Sequence, residues 1–252
     1  MFNFLKKKNA HHASSVTHHV DVPQHIAFIM DGNRRWAKMR GQPGIYGHKC
    51  GADTAKKVAE YLLERGVSTI SFYTFSIENW GRDKAEVKFL MDFIESEMPK
   101  HVDFAKEKNA RVKFIGRRDH LSKKIVKLCE KFERETAGNT AGTIVFALDY
   151  GGQDEIVRAA NDAIDYYTAN GLTTHDSRLT THDFESFMDS GELLPIDLMV
   201  RPSGEQRISN FMLWKLAYAE FMFIPELWPD IDEKILDRIL DEFSQRQRRF
   251  GK

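Results

Sequence analysis

Short apolar runs and longer stretches of helical periodicity take turns along this chain. The runs, rich in β-branched and aromatic residues, predict strands over residues 25–30, 69–75, 111–116, 143–150, 196–200 and 220–224. Apolar residues recurring every three or four positions predict helices over 47–65, 86–108, 120–136, 153–167, 183–188 and 232–248, with a shorter helical stretch near 212–217. Gly66 ends the first helix, and Thr181 or His182 opens the fifth. No segment repeats. Alternation of this kind predicts a single α/β domain: a central, mainly parallel six-stranded sheet flanked by helices, with crossovers of one hand. In such sheets ligands bind outside the carboxyl ends of the strands.

Two helices carry unusual faces. Along 47–65 the apolar face is Ala52, Ala55, Val58, Ala59, Leu62 and Leu63; its alanines either pack closely or leave room beside the helix. Along 86–108 one stripe holds Val87, Leu90, Met91, Ile94, Met98, Val102 and Ala105, and a second side holds Phe89, Phe93 and Phe104. One stripe serves the core. The second calls for protein, another subunit or an apolar ligand, with protein the commoner answer.

Composition narrows the class without choosing within it. The chain has 252 residues, enough to bury a sizeable core, with 42% hydrophobic and 29% charged. Lys+Arg and Asp+Glu balance at 37 each, so nothing global argues for nucleic acid, and any anion site is a local cluster. Cys50 and Cys129 stand in no ligand-like spacing and read as free thiols of a reducing compartment. No apolar run is long enough to span a bilayer, and no signal-peptide core precedes the lysines near the start, which reads as cytoplasmic. Residues 1–21 read as a disordered tail, followed by one domain over 22–252. Phe2, Phe4 and Leu5 ahead of Lys6, Lys7 and Lys8 suit a weak peripheral membrane contact, second to a plain solvated tail.

The candidate chemistry clusters just past the strands. The first strand stops at Asp31-Gly-Asn33, and Arg34 and Arg35 follow. Guanidinium groups and the free amides of a helix starting after Gly32 suit the oxygens of a diphosphate, while Asp31, a hard oxygen ligand, suits its Mg²⁺. Asp-Gly and Gly-Asn are equally common in hairpin turns, and that alternative stands on this stretch alone. A second polar cluster, Ser76-Ile-Glu-Asn-Trp80, follows the second strand, and Arg201-Pro-Ser-Gly204 follows the fifth.

Taken in order, these clusters resemble the cis-prenyltransferase family, of undecaprenyl diphosphate synthase type. The resemblance covers nearly all of residues 23–251. It rests on His25-Ile-Ala-Phe-Ile-Met-Asp-Gly-Asn-Arg-Arg-Trp-Ala37, Gly47-His-Lys49, Phe75-Ser-Ile-Glu-Asn-Trp80 with Arg82, Asp149-Tyr-Gly-Gly152, Arg201-Pro-Ser-Gly-Glu-Gln-Arg-Ile-Ser-Asn-Phe211, Ala219-Glu220, Leu227-Trp-Pro-Asp230 and Arg248-Arg-Phe-Gly251. The resemblance implies Mg²⁺-dependent 1'-4 condensation of isopentenyl diphosphate onto an allylic diphosphate, farnesyl or geranyl. The product would be a medium to long cis-polyprenyl diphosphate such as undecaprenyl diphosphate, a lipid-carrier precursor for cell-wall glycans. It implies that Asp31 and Glu220 hold the metal, and that Gly32, Asn33, Arg34, Arg35 and His48 meet the allylic diphosphate. Arg201, Arg207, Ile208 and Ser209 correspond to the isopentenyl diphosphate pocket, and Trp36, Ser76, Ile77, Glu78, Trp80 and Arg82 to other substrate contacts. Asn79 corresponds to a residue assigned as proton acceptor; a neutral amide is a poor base, so positioning a diphosphate oxygen that takes the proton suits it better. An apolar product tunnel between the sheet and two helices, a homodimer, and a C-terminal Arg-x-Gly element at Arg249-Phe-Gly251 that reaches the partner's site are implied as well.

The chain departs from the family pattern in places. Gly44 stands where an arginine for the allylic diphosphate is usual, while Arg34 stands where many relatives have glycine. Ile77 replaces a small hydroxyl residue, Asp149 an asparagine, Gln153 an arginine and Pro202 a threonine or glycine. Gly44 leaves open a non-catalytic or short-chain homologue. A phosphatase that also places Asp-Gly after an apolar strand needs a nucleophilic aspartate two residues before Asp31, where this chain has Ile29.

Overall fold

The computed structural model describes residues 22–171 and 178–246. The strands β1 (His25–Phe28), β2 (Thr69–Ser76), β3 (Ala110–Ile115), β4 (Gly142–Tyr150), β5 (Leu198–Arg201) and β6 (Glu220–Phe223) form one sheet in the order β3-β4-β2-β1-β5-β6. Every neighbouring pair is parallel. The helices are α1 (Asn33–Met39), α2 (Gly44–Glu64), α3 (Lys84–Glu107), α4 (Lys123–Thr136), α5 (Gly152–Ala169), α6 (Thr181–Glu185) and α7 (Glu233–Ser244).

The two-residue period of the strands divides the core. Ile26, Phe28, Ile70, Phe72, Ile144, Leu148 and Val200 face one way, into a cluster shared with α2, α3, α4 and α7. Ala27, Ile29, Val145, Ala147 and Met199 face the other way, onto Ile196, Phe211, Met212 and Leu216. Both faces are covered, as strands with near-continuous apolar runs require. Cys50 and Cys129 are free thiols, as expected. Among the described residues no helix is long and apolar enough to cross a membrane.

Several boundaries move for local reasons. Helix α3 starts earlier than its apolar pattern because the Asp83 carboxylate accepts the amides of Ala85 and Glu86. Helix α4 starts later than expected, after Ser122, whose hydroxyl accepts the Ile125 amide at 3.2 Å. The stretch 212–217 is a run of turns, not a helix. Left-handed backbone at Ser209, Asn210 and Met212 (φ 49°, 62° and 37°) leads into it and breaks the helical path. The two sides expected on α3 also merge: Phe104 is 3% exposed in the main core, and Phe93 stacks on Phe89 at 5.9 Å with both half-buried. The tail 1–21, the end of the basic run after Arg246 and the Arg249-Phe-Gly251 element lie outside the described residues.

His25 ties the amino end of β1 to its surroundings. Its Nδ1 donates to Leu194 O at 2.8 Å, so its Nε2 accepts the Ser71 hydroxyl at 2.7 Å. Burial pushes this imidazole down to about 4, against the opposing Leu194 bond and Asp197 charge. Between its ordinary value and 4 the unfolded chain binds a proton that the fold refuses, so stability is present near neutrality and lost on acidification through that window. The loss over the whole window is on the order of 3 kcal/mol. Urea unfolding at pH 7 and pH 5 checks it: the wild type weakens more on acidification than a His25→Gln variant, and equal slopes would refute the assignment.

Candidate active site

In a parallel sheet all carboxyl ends share one edge, and here they open onto a cavity of about 710 Å³. Its depth is apolar: Ala52 and Ala55 of α2, Leu90, Phe93, Ile94, Met98 and Val102 of α3, and Phe114, Phe146 and Leu148 of the sheet. Its mouth is polar, formed by Asp31, Asn33, His48, Ser76, Glu78, Asn79, Arg82, Arg201, Arg207 and Ser209. Ten of the site residues expected from sequence therefore line one opening. Backbone strain collects at the same edge, with positive φ at Gly32, Asp149, Ser203, Ser209 and Asn210.

Arg201, at the end of β5 and 4% exposed, organises the mouth. Its guanidinium donates to Asp31 Oδ2 at 2.9 Å, to Ser209 Oγ at 2.7 Å and to Arg207 O at 2.6 Å. Arg35, one turn along from Asp31, reaches Asp31 Oδ1 at 3.3 Å and donates to Ser203 O at 3.2 Å. Burial pushes the Asp31 carboxyl up, but the Arg201 hydrogen bond and charge, with the Arg35 charge, outweigh it and hold the group below its ordinary value. It is a carboxylate near neutral pH. Arg207 is more exposed and pairs with Glu205.

The second polar cluster is a single 3₁₀ turn, Ile77–Gly81, closed by a capping box between Ser76 and Asn79. The Asn79 amide oxygen accepts the Ser76 N–H at 3.2 Å, which makes the side-chain NH₂ the group left for a ligand. Glu86 at the start of α3 takes Arg34 at 3.1 Å and Arg82 at 3.0 Å. Burial, then the Arg82 and Arg34 charges, push His48 down to about 4 against Glu86, so its imidazole is neutral at the mouth.

Helix α1 sits at the mouth because α2 lets it approach. A Cβ at Gly47 would lie 2.0 Å from Asn33 O, and one at Gly51 would lie 2.2 Å from Asn33 Oδ1. That oxygen is buried without a hydrogen-bond partner. Gly32 adopts φ 105° against the Leu227 side chain to turn the chain into α1. The remaining expected residues stand back from the cavity. Trp36 donates to Asp230 at 2.6 Å and stacks on Tyr46 at 5.9 Å, while Arg34 and Arg35 border a neighbouring groove with Lys38, Gln42 and Gly44. Ile77 packs against Gly151, Ile208 joins the second core cluster, and Trp80 turns inward to Asp149.

Glu220 does not line the cavity within one chain. It opens β6 beside Leu198, whereas Arg201 lies opposite Phe223. Three residues of strand place Glu220 roughly 10 Å below the site edge, and it pairs with Arg246 at 3.1 Å. One chain does not bring it to Asp31. Among the described residues, Asp119, His120 and Asp149 bring possible metal-ligand atoms within 4.8 Å of one another, but at the end of β4 and not beside Asp31. Asp119 there is already held by both sides of the Arg117 guanidinium at 2.9 and 2.6 Å.

Comparison with known proteins decides the family. The sequence model described as "Putative undecaprenyl diphosphate synthase" matches residues 29–251. The chain belongs to this family. It is 42% identical over 238 residues to the isoprenyl transferase of Neisseria meningitidis serogroup A, covering 94% of this chain and 93% of that protein. It is 39% identical to the ditrans,polycis-undecaprenyl-diphosphate synthase ((2E,6E)-farnesyl-diphosphate specific) of Wigglesworthia glossinidia brevipalpis, over 93% and 89% of the two chains. The crystal structure of lavandulyl diphosphate synthase from Lavandula x intermedia in complex with dimethylallyl diphosphate superposes with a TM-score of 0.86 at 31% identity, covering 92% and 99%. The chain is a prenyl transferase of the undecaprenyl diphosphate synthase type.

Within the family, Gly44 and Arg34 explain each other. A Cβ at Gly44 would lie 3.5 Å from Arg34 Cγ, so the stem of Arg34 fills the place beside the missing arginine. Sequence reasoning passed over two residues of the mouth. Asn210 donates to Glu78 at 2.7 Å and accepts the Gln153 amide at 2.8 Å, joining three loops. Tyr73, also lining the cavity, donates to Ser209 O at 3.3 Å. Asn210 is a residue type that tolerates left-handed backbone, which is its signal in the sequence; Tyr73 has none beyond that of a strand aromatic.

Proposed function

We propose that the chain is a Mg²⁺-dependent cis-prenyltransferase. It condenses isopentenyl diphosphate onto an allylic diphosphate, farnesyl or geranyl, and repeats the step to make a medium or long cis-polyprenyl diphosphate such as undecaprenyl diphosphate, a precursor of the lipid carrier for cell-wall glycans. One observation carries this reading: the Asp31–Arg201–Ser209 relay stands at the mouth of an apolar cavity. An anion-binding mouth on an apolar sleeve suits a substrate with a diphosphate head and a growing hydrocarbon tail. The farnesyl-specific name of the Wigglesworthia relative supports the choice of starter.

In each cycle the allylic C–O bond breaks, the isopentenyl double bond attacks the freed carbon, and a proton leaves the isopentenyl unit. The protein's part is to stabilise the departing diphosphate and exclude water. Arg82, backed by Arg34 and Arg35 on the adjoining groove, supplies charge at the allylic end, and Arg201, Arg207 and Ser209 position the second diphosphate. Neutral His48 and the Asn79 NH₂ add hydrogen bonds, and a diphosphate oxygen takes the proton. Mg²⁺ binds through one or two carboxylates plus substrate phosphate oxygens; the ionised Asp31 at the mouth fits that donor set, and the ion would neutralise diphosphate charge.

The reading includes a homodimer acting in the cytoplasm with peripheral membrane contact at product release. Incubation with Mg²⁺, labelled isopentenyl diphosphate and dimethylallyl, geranyl or farnesyl diphosphate tests it, and no incorporation with any starter would refute it. A bulky residue inside the sleeve should act on length. Ala55→Phe adds volume into the cavity and is expected to shorten the main product by several isoprene units, with folding retained. Chromatographic sizing checks this; an unchanged product ladder would place the growing chain elsewhere.

A further inference from the structure

The carboxyl end of β4 leaves regular geometry at Asp149. Along β2 and β4, Phe75 pairs with Leu148 and then Ser76 pairs with Tyr150, so Asp149 is the extra residue of a bulge, with φ 52°. Bulges beside sites re-aim a side chain. Here the re-aimed side chain is a fully buried carboxylate. Its Oδ1 accepts the indole N–H of Trp80 at 2.6 Å. Its Oδ2 lies 3.2 Å from His120 Nδ1 yet has no aligned hydrogen-bond donor. The backbone below is locked, with the Arg117 amide on Asp149 O at 2.9 Å and Gly116 so close that a Cβ would meet Leu148 O at 2.2 Å.

A buried carboxylate with one half-satisfied oxygen is costly to keep for packing alone. Its firm partner belongs to the turn 77–81. Trp80 is the aromatic side chain by which that turn reaches into the protein, edge-on to Phe75 at 5.1 Å and to His120 at 6.0 Å, while Ile77 packs against Gly151. The flanking Ser76, Glu78, Asn79 and Arg82 line the cavity. We propose that Asp149 is a positioning residue for prenyl transfer: gripping the Trp80 indole from beneath, it sets the placement of the 77–81 turn, and with it Asn79 and Arg82, over the diphosphate end of the cavity. The His120 ring stands against the second oxygen. The inference rests on the reading of the cavity as the transfer site.

Asp149→Gly removes the carboxylate while keeping a residue at ease with positive φ. Asp149→Asn keeps an acceptor for the indole, and Trp80→Phe removes the N–H from the other side. With wild-type transfer established first, kcat/KM is expected to fall about 10- to 100-fold in Asp149→Gly and in Trp80→Phe, the scale of a charge-assisted hydrogen bond. The double variant should be no worse than the poorer single within about threefold, because the two residues act through one bond. Asp149→Asn should stay within about threefold of wild type. In amide–indole NMR spectra the Trp80 indole proton, assigned through Trp80→Phe, should move in Asp149→Gly and much less in Asp149→Asn. A folded Asp149→Gly protein with a displaced indole signal and near-wild-type kcat/KM would overturn the proposal, as would losses that multiply in the double variant. If Asp149→Gly does not fold, a folded and fully active Trp80→Phe overturns it, whereas a loss there that Asp149→Asn does not deepen supports it. A wild type without transfer activity would instead sink the reading of the cavity.

Discussion

Asp31→Ala is expected to lower kcat/KM by about a thousandfold, the upper range for removing a group that stabilises charge developing in a transition state. The carboxylate is at the mouth, ionised, and is the acidic side chain that Arg201 and Arg35 hold between them. On the proposed reading its loss takes away the hard ligand for a divalent cation, and it lets both guanidiniums drift. Asp31→Asn separates these effects. The amide still accepts from Arg201, so the unfolding temperature should stay nearer the wild type than in Asp31→Ala, while activity stays as low because the negative charge is gone. Steady-state kinetics with thermal unfolding checks both statements. An Asp31→Asn enzyme of near-normal activity would remove Asp31 from the metal role.

Arg201→Lys is expected to cost about 3 kcal/mol of stability and to reduce activity at least about a hundredfold, although the charge is conserved. A lysine has one ammonium where the guanidinium forks to Asp31, Ser209 Oγ and Arg207 O. At 4% exposure water does not make up the difference. The loop that carries Ser209 through left-handed backbone loses its brace, so the isopentenyl diphosphate KM should rise more than that of the allylic substrate. Urea unfolding and substrate-resolved kinetics test this. Equal changes in both KM values would mean that Arg201 braces the whole mouth and not the Ser209 loop in particular.

The strand ends were the legible part of the chain. Asp31, Ser76 and Arg201 each follow an apolar run, and a parallel sheet puts such ends on one edge, so clusters far apart in sequence met at one mouth. The alanines of α2 were legible as close packing or as room beside the helix, and both occur: Ala52 and Ala55 line the cavity, while Ala59 packs in the core. What lies along a strand was not legible. Glu220 opens a strand whose opposite end reaches the site, and only the register with β5 shows where along that strand it lies. Residues 212–217 have helical periodicity, yet the left-handed turns before them, which hold Ser209 in place, overrule it. The two apolar sides of α3 were legible but not their use: Leu90, Ile94, Met98 and Val102 of the first line the cavity together with Phe93 of the second, while Phe104 lies in the core. The inward turn of Trp80 depends on a bulge in another strand, which no local pattern announces.

The most direct measurement is the product itself. The purified chain is given Mg²⁺, labelled isopentenyl diphosphate and farnesyl diphosphate, and the product's length and double-bond configuration are read by mass spectrometry and NMR, with a chelator control. A polyprenyl diphosphate whose added units are all cis, and which disappears with the chelator, is the expected result. Added trans units, or the same product without a divalent ion, would contradict the account.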